Sequence, residues 1–384
     1  MSLDQDTLQQ LIDMVRRFVR ERLVPLEAQV EEEDRIPEDV IQEMRELGLF
    51  GLSIPEEFGG LGLTMSEEVL IAQEIGYTSP AFRSVFATNV GIGSQGIIID
   101  GTEKQKAEYL PRMASGELIG SFALTEPDVG SDAASVRTRA VRDGDHYIIS
   151  GTKRFITNAP RAGVFTLMAR TGTKEDGARG VSAFLVDANL GGITLGKPDK
   201  KMGQKGSLTC DVILDNVRVP ADALIGGEEG RGFKTAMKVL NRGRLHISAV
   251  AVGAAQRLID ESVAYATERK QFGTEICNFQ LIQAMLADSR TEHYAGKCMA
   301  EDAARRHELG EPIITEAACC KLFCTEMVGR VADRAVQIHG GSGYISEYCV
   351  ERFYRDVRLF RLYEGTTQIQ QVVIAKNMIA EAMH

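Results

Sequence analysis

A carboxylate beside a glycine, late in the chain, is the first residue pair able to do chemistry. In Leu362-Tyr363-Glu364-Gly365-Thr366-Thr367-Gln368-Ile369-Gln370, Gly365 suggests a backbone turn that fixes Glu364. A fixed carboxylate can serve as a general base. The same spacing also describes an ordinary solvated glutamate. Four further segments have the makeup of a polar-ligand site. Leu124-Thr125-Glu126-Pro127-Asp128-Val129-Gly130-Ser131-Asp132 gathers hydroxyls and glycine where backbone N–H groups can approach a polar ring or a phosphate, although an acidic turn has the same composition. Lys153-Arg154-Phe155-Ile156-Thr157-Asn158 sets an aromatic beside hydroxyl and amide groups; by itself it reads as a strand end with one core aromatic. Glu268-Arg269-Lys270-Gln271-Phe272-Gly273 places a basic pair at a helix end, suited to the dipole or to a pyrophosphate. Gln337-Ile338-His339-Gly340-Gly341-Ser342-Gly343-Tyr344 breaks a long helix sharply, for close approach to a ligand or as an extended C-cap.

These segments need a scaffold, and three stretches supply it. Residues 1–120 carry Leu8, Leu11, Ile12, Val15, Phe18, Val19 and Leu23 at three- and four-residue spacing, an amphipathic helix that Pro25 interrupts. Val40, Ile41, Met44 and Leu47 repeat the pattern between Pro37 and Gly48, which suit a first turn and a C-terminal cap. From about 121 to 225, short β-branched runs at 136–141, 146–150, 164–169, 181–186 and 212–219 alternate with turns, including Asp143-Gly144-Asp145. They predict a compact antiparallel sheet or barrel. From 226 to 384, alanine-rich, proline-free segments such as 250–267 and 315–338 predict bundle helices. The order helix, sheet, helix does not suit a doubly wound nucleotide fold.

That order also weakens Gly91-Ile92-Gly93-Ser94-Gln95-Gly96, a formal G-x-G-x-x-G in a helical neighbourhood where close packing is the simpler account. No P-loop sequence occurs. Seven cysteines are present without disulfide-like spacing, and Cys319, Cys320 and Cys324 lack a nearby histidine, so reduced buried thiols are expected and no metal site. A net charge of −10 argues against nucleic-acid binding, although local arginines can still hold an anionic ligand. No apolar run approaches the roughly 18–20 residues of a membrane-spanning helix. The acidic start of the chain, without a basic or apolar leader, predicts a cytoplasmic location.

Taken together and in order, the five segments resemble the acyl-CoA dehydrogenase family over nearly the whole chain. The resemblance implies an α+β, mostly α fold: an N-terminal helical domain (1–120), a central β-domain (121–225) and a C-terminal four-helix bundle (226–384), assembled as a homotetramer. It implies FAD as cofactor, with Thr125, Gly130 and Ser131 in the flavin-contacting signature and Ser131 also near the CoA arm. Phe155 and Thr157 match positions flanking the isoalloxazine ring; many members carry tryptophan at the former. Arg269, Gln271 and Phe272, with Gln337 and Gly341, resemble residues reaching the diphosphate and adenine across a subunit interface. Thr366 and Gln368 match further flavin contacts, and Arg244 and Tyr363 match substrate-side positions. The family has two locations for the base. One is Glu364; the other, on a helix, is Gly243 here, which cannot take a proton.

The implied reaction is α,β-dehydrogenation of an acyl-CoA to a trans-2-enoyl-CoA, with reoxidation by an electron-transfer flavoprotein. A carboxylate buried beside a flavin and an acyl chain binds a proton more tightly than one in water, which narrows its mismatch with a thioester α-proton. A short, medium or branched acyl chain is expected. The segment Phe82-Arg83-Ser84, with Gly101-Thr102-Glu103-Lys104-Gln105, resembles the glutaryl-CoA dehydrogenase branch, where the arginine could pair with a terminal carboxylate; Gly76 departs from that branch's glutamate. A flavin oxidase on the same fold is the remaining alternative.

Overall fold

The computed structural model describes residues 3–383, running helix, sheet, helix. Helix α1 (Gln5–Arg17) starts at Asp4, whose side chain accepts from the Thr7 N–H at 2.9 Å. Pro25 distorts the helical run rather than stopping it. The chain widens into a π turn over Phe18–Leu23, tightens to 3-10 over Val24–Leu26, and resumes as α2 (Glu27–Glu33). Helix α3 (Glu38–Glu46) begins directly after Pro37, and Gly48 leaves it with φ +71°. Helices α4 (Met65–Gly76) and α7 (Glu103–Ala114) both open with capping boxes, Thr64/Glu67 and Thr102/Gln105. Between them lie α5 (Pro80–Val90) and α6 (Gln95–Asp100). The glycine-rich 91–96 segment therefore joins two helices, with no strand before it.

The central sheet has seven strands: β1 (Gly120–Ala123), β2 (Arg139–Asp143), β3 (His146–Thr157), β4 (Val164–Arg170), β5 (Val181–Asp187), β6 (Ile193–Leu195) and β7 (Thr209–Pro220). Its order is β1-β4-β2-β3-β7-β6, with β5 also on β4. Most pairings are antiparallel as expected, but β1 and β2 share an edge of β4 and both run parallel to it. Strands β1 and β6 escaped the sequence pattern because they are only four and three residues long. One local expectation is overturned. Phe155 is not a core aromatic: it is 60 % exposed, at φ +59°, where β3 bulges against β7 between Lys153 and Ile156. The bulge adds residues to one strand and turns the ring outward, and Arg154 lies 4.3 Å over its face.

Helix α8 (Gly232–Glu268) spans 37 residues and is followed by a small hairpin of β8 (Lys270–Gln271) and β9 (Thr274–Glu275). Helices α9 (Gln280–Glu308), α10 (Ile314–His339) and α12 (Thr367–Ala382) complete the bundle, with α10 packed against α8, α9 and α12 and the short α11 (Cys349–Val357) alongside. Cys320 and Cys324 are buried inside it. Helix α8 also lies against α4, and two glycines set that crossing. A Cβ on Gly76 would stand 2.3 Å from the Val250 carbonyl oxygen, and one on Gly253 would stand 2.0 Å from that of Gln73. Only glycine allows backbones this close. Among the described residues no helix is long and apolar enough to cross a membrane.

Candidate active site

A cavity of about 380 Å³ opens where α5, the sheet, α8 and the turn before α12 meet. Its lining includes Thr125, Gly130, Ser131, Phe155, Thr157, Arg83, Arg244, Tyr363 and Glu364, nine of the residues singled out from sequence. The 124–131 segment is held from beneath by a buried ion pair. Lys153 Nζ donates to Glu126 at 2.7 Å and to the Leu124 carbonyl at 3.0 Å. Glu126 also accepts from the Arg137 and Thr138 N–H groups. Burial lowers Lys153's pKa to about 8 despite that partner.

Glu364 and Gly365 both take positive φ, +54° and +90°. Left-handed backbone at a non-glycine residue costs roughly 1–3 kcal/mol, so neighbours must hold it. Gln370 Nε2 donates to the carbonyls of Glu364 (3.2 Å) and Gly365 (2.9 Å), while Lys321 Nζ donates to the latter at 2.6 Å. Tyr363 stacks on Phe360 with centroids 5.9 Å apart. The side chain of Glu364 then reaches α8, where a Cβ built on Gly243 would lie 2.3 Å from its Oε2. The two family positions for the base thus converge on one place in this chain. Oε2 is buried with no hydrogen-bond partner among the described residues.

A polar chain crosses the cavity wall beside this carboxylate. Arg242 pairs with Glu68 at very short range, Glu68 Oε1 lies 2.7 Å from His246 Nδ1, and Arg83 Nε donates to His246 Nε2 at 3.1 Å. Since Arg83 can only donate, Nε2 must accept and the proton sits on Nδ1, facing Glu68. Burial and Arg83 both push the His246 pKa down. Burial alone would raise that of Glu68, but Arg242 and His246 outweigh it and bring it to about 2. Arg244 donates to Asn241 at 2.8 Å, but its buried Nε has no partner among the described residues.

Glu68, Arg242, His246 and Lys321 were not anticipated from sequence. Arg242 and His246 lie within three residues of Gly243, the one visible clue; Glu68 and Lys321 reach the site only through helix crossings. Seven anticipated residues lie outside the cavity within this chain. Arg269 borders a separate cavity of about 320 Å³ with Tyr265, His339, Ser342 and Tyr348. Gln271 is exposed and Phe272 is 94 % exposed on the β8–β9 hairpin. Gln337 and Gly341 are exposed around the end of α10, Gln368 is exposed on α12, and Thr366 caps α12 by accepting from the Ile369 N–H.

The cavity suits a flavin ring together with an acyl thioester. Phe122, Leu124, Met237 and Leu240 give apolar walls, Thr125, Ser131 and Thr157 give hydroxyls, and three buried polar atoms of the lining, Glu364 Oε2, Arg242 Nε and Arg244 Nε, lack partners among the described residues. Family models described as the acyl-CoA dehydrogenase N-terminal, middle and C-terminal domains match residues 5–117, 121–217 and 230–379. The chain belongs to the acyl-CoA dehydrogenase family. Its members are FAD-dependent oxidoreductases. Among the chain's relatives, the probable acyl-CoA dehydrogenase YngJ of Bacillus subtilis is 42% identical over 97% of the chain and 98% of the relative. The caffeyl-CoA reductase-Etf complex subunit CarC of Acetobacterium woodii is 39% identical over 94% and 96%. The butyryl-CoA dehydrogenase structure from Megasphaera elsdenii superposes with a TM-score of 0.94 at 32% identity, covering 99% of this chain and 100% of that one.

Proposed function

We propose that this enzyme converts an acyl-CoA to its trans-2-enoyl-CoA, with Glu364 taking the proton from Cα. The observation that carries the proposal is the buried, unpartnered Glu364 Oε2, aimed at the gap left by Gly243. FAD, when bound, would supply the acceptor for the β-hydrogen and its electron pair as the Cα–Cβ double bond forms. Around that step the chain has three tasks. Glu364 receives the α-proton, its own N–H and the fixed turn steady the thioester oxygen, and the apolar walls exclude water. The residues around Thr125, Gly130, Ser131, Phe155 and Thr157 would hold the flavin ring, and Arg244 would meet the CoA portion.

A homotetramer built from the units 1–120, 121–225 and 226–384 would let Arg269, Gln271, Phe272, Gln337 and Gly341 serve a neighbouring subunit's FAD. Their position away from the cavity of their own chain supports this arrangement. An electron-transfer flavoprotein as redox partner is supported by the name of the CarC relative. The same residues serve the reverse reduction, so the electron partner would set the direction. For the acyl group, a short, medium or branched chain fits the apolar walls. A second possibility, a dicarboxylyl chain, is favoured by Arg83 in the cavity lining. Anaerobic bleaching of the bound flavin by a series of acyl-CoAs, glutaryl-CoA included, tests these points. Glu364→Gln should keep its FAD and lose bleaching; wild-type bleaching in that variant removes Glu364 as the base. Indifference to glutaryl-type substrates removes the dicarboxylyl option.

A further inference from the structure

Lys321 stands under the base without entering the cavity. It lies on α10, its side chain is 0 % exposed, and its one hydrogen bond among the described residues is to the Gly365 carbonyl. A buried ammonium with a single partner is costly. A methionine or leucine would fill the same space among the apolar bundle residues without that cost. What the ammonium adds is a charge-assisted grip on the peptide immediately after Glu364, in a turn whose two residues both need positive φ. Gln370 grips the same carbonyl from α12, so two helices converge on one oxygen.

We propose that Lys321 is a positioning residue for the Glu364 base, holding the Glu364–Gly365 turn in its left-handed form and placing a positive charge behind the carboxylate. The proposal rests on the assignment of Glu364 given above. The charged groups acting on Lys321 come from three elements: Glu364 before α12, Arg244 on α8 and Glu326 on α10 itself. Burial lowers the lysine's pKa to about 8, Glu364 and Glu326 resist that fall and Arg244 adds to it. The grip is therefore charged at neutral pH and weakens as pH rises through that value.

The test is the pH profile of single-turnover flavin bleaching by a good acyl-CoA, in wild type, Lys321→Met and Lys321→Arg. Lys321→Met should retain FAD and acyl-CoA affinity but bleach about 10²-fold more slowly, the scale of a misplaced reacting group. Lys321→Arg should stay within a few-fold of wild type near pH 7 and lose the alkaline limb near pH 8, since guanidinium stays charged. Wild-type rates in Lys321→Met, or an unchanged alkaline limb in Lys321→Arg, would overturn the proposal. If Lys321→Met does not fold, the Lys321→Arg profile decides alone. If neither folds, a wild-type rate that is flat from pH 7 to 9 overturns the role of the charge, and a limb near pH 8 supports it. Failure of every acyl-CoA to bleach the wild type would remove the dehydrogenase assignment and this role with it. Failure confined to the Lys321 variants' predicted behaviour leaves Glu364 standing.

Discussion

Gly243 sits inside a long helix, where glycine costs roughly 1 kcal/mol relative to alanine. The site explains its presence: even a methyl group there would meet the Glu364 carboxylate. Because that contact is with the far end of a flexible side chain, the fold can absorb it by swinging the carboxylate aside. Gly243→Ala should therefore unfold at the same or slightly higher temperature while bleaching the flavin about 10²-fold more slowly. Calorimetry beside stopped-flow reduction checks both halves. A variant of full activity would mean that Glu364 does not work from the orientation seen here. The residues of this site are legible in sequence where chemistry and backbone demand coincide, as at Glu364-Gly365. They are illegible where a side chain arrives from a distant helix, as Lys321 does within a stretch notable only for its cysteines.

At the level of elements, α11 is tied to the segment preceding β7 and to the start of α5 by one carboxylate. Asp356 is fully buried, accepting from the Gln204 N–H and from Ser79 Oγ at 3.1 Å. Burial raises its pKa from 3.8 to about 6, although Gln204, Arg352 and Ser79 all pull the other way. A carboxyl whose folded-state value is raised contributes stability that is complete below its ordinary range and is lost as pH rises through the folded value. Here that window runs from about pH 4 to above 6, and the change is roughly 3 kcal/mol. Asp356→Asn keeps the shape and removes the titration. It should be more stable than wild type at pH 7.5, with the difference vanishing near pH 4, as urea melts at several pH values would show; a constant difference would contradict the buried charge. Long elements with strong periodicity, such as α8 and α10, were plain in the sequence. The parallel edge at β4 was not, because β1 is four residues without a β-branched side chain, and the reading of Phe155 as a strand-end core aromatic failed because a bulge turns its ring outward.

Across the whole molecule, the clearest unfinished feature is Phe272, 94 % exposed and held at φ +53° on its hairpin. Burying one such ring is worth about 2 kcal/mol, so if the proposed homotetramer uses this hairpin, Phe272→Asp should shift sedimentation toward smaller species and lower the ratio of flavin to protein absorbance after gel filtration. A variant that sediments and retains flavin like wild type would rule out this hairpin as part of the interface. Helix α8 has the opposite character. Extending about 55 Å at 1.5 Å per residue, it is buried at every position from 243 to 255. Arg242, Gly243, Arg244 and His246 stand at the edge of or within that run, on the same rod that crosses α4 and centres the bundle. The site therefore has no loose hinge of its own on this side: it cannot come apart while the core stays intact. Activity and helical signal should disappear together, and the amides in the middle of α8 should be among the last to exchange with solvent.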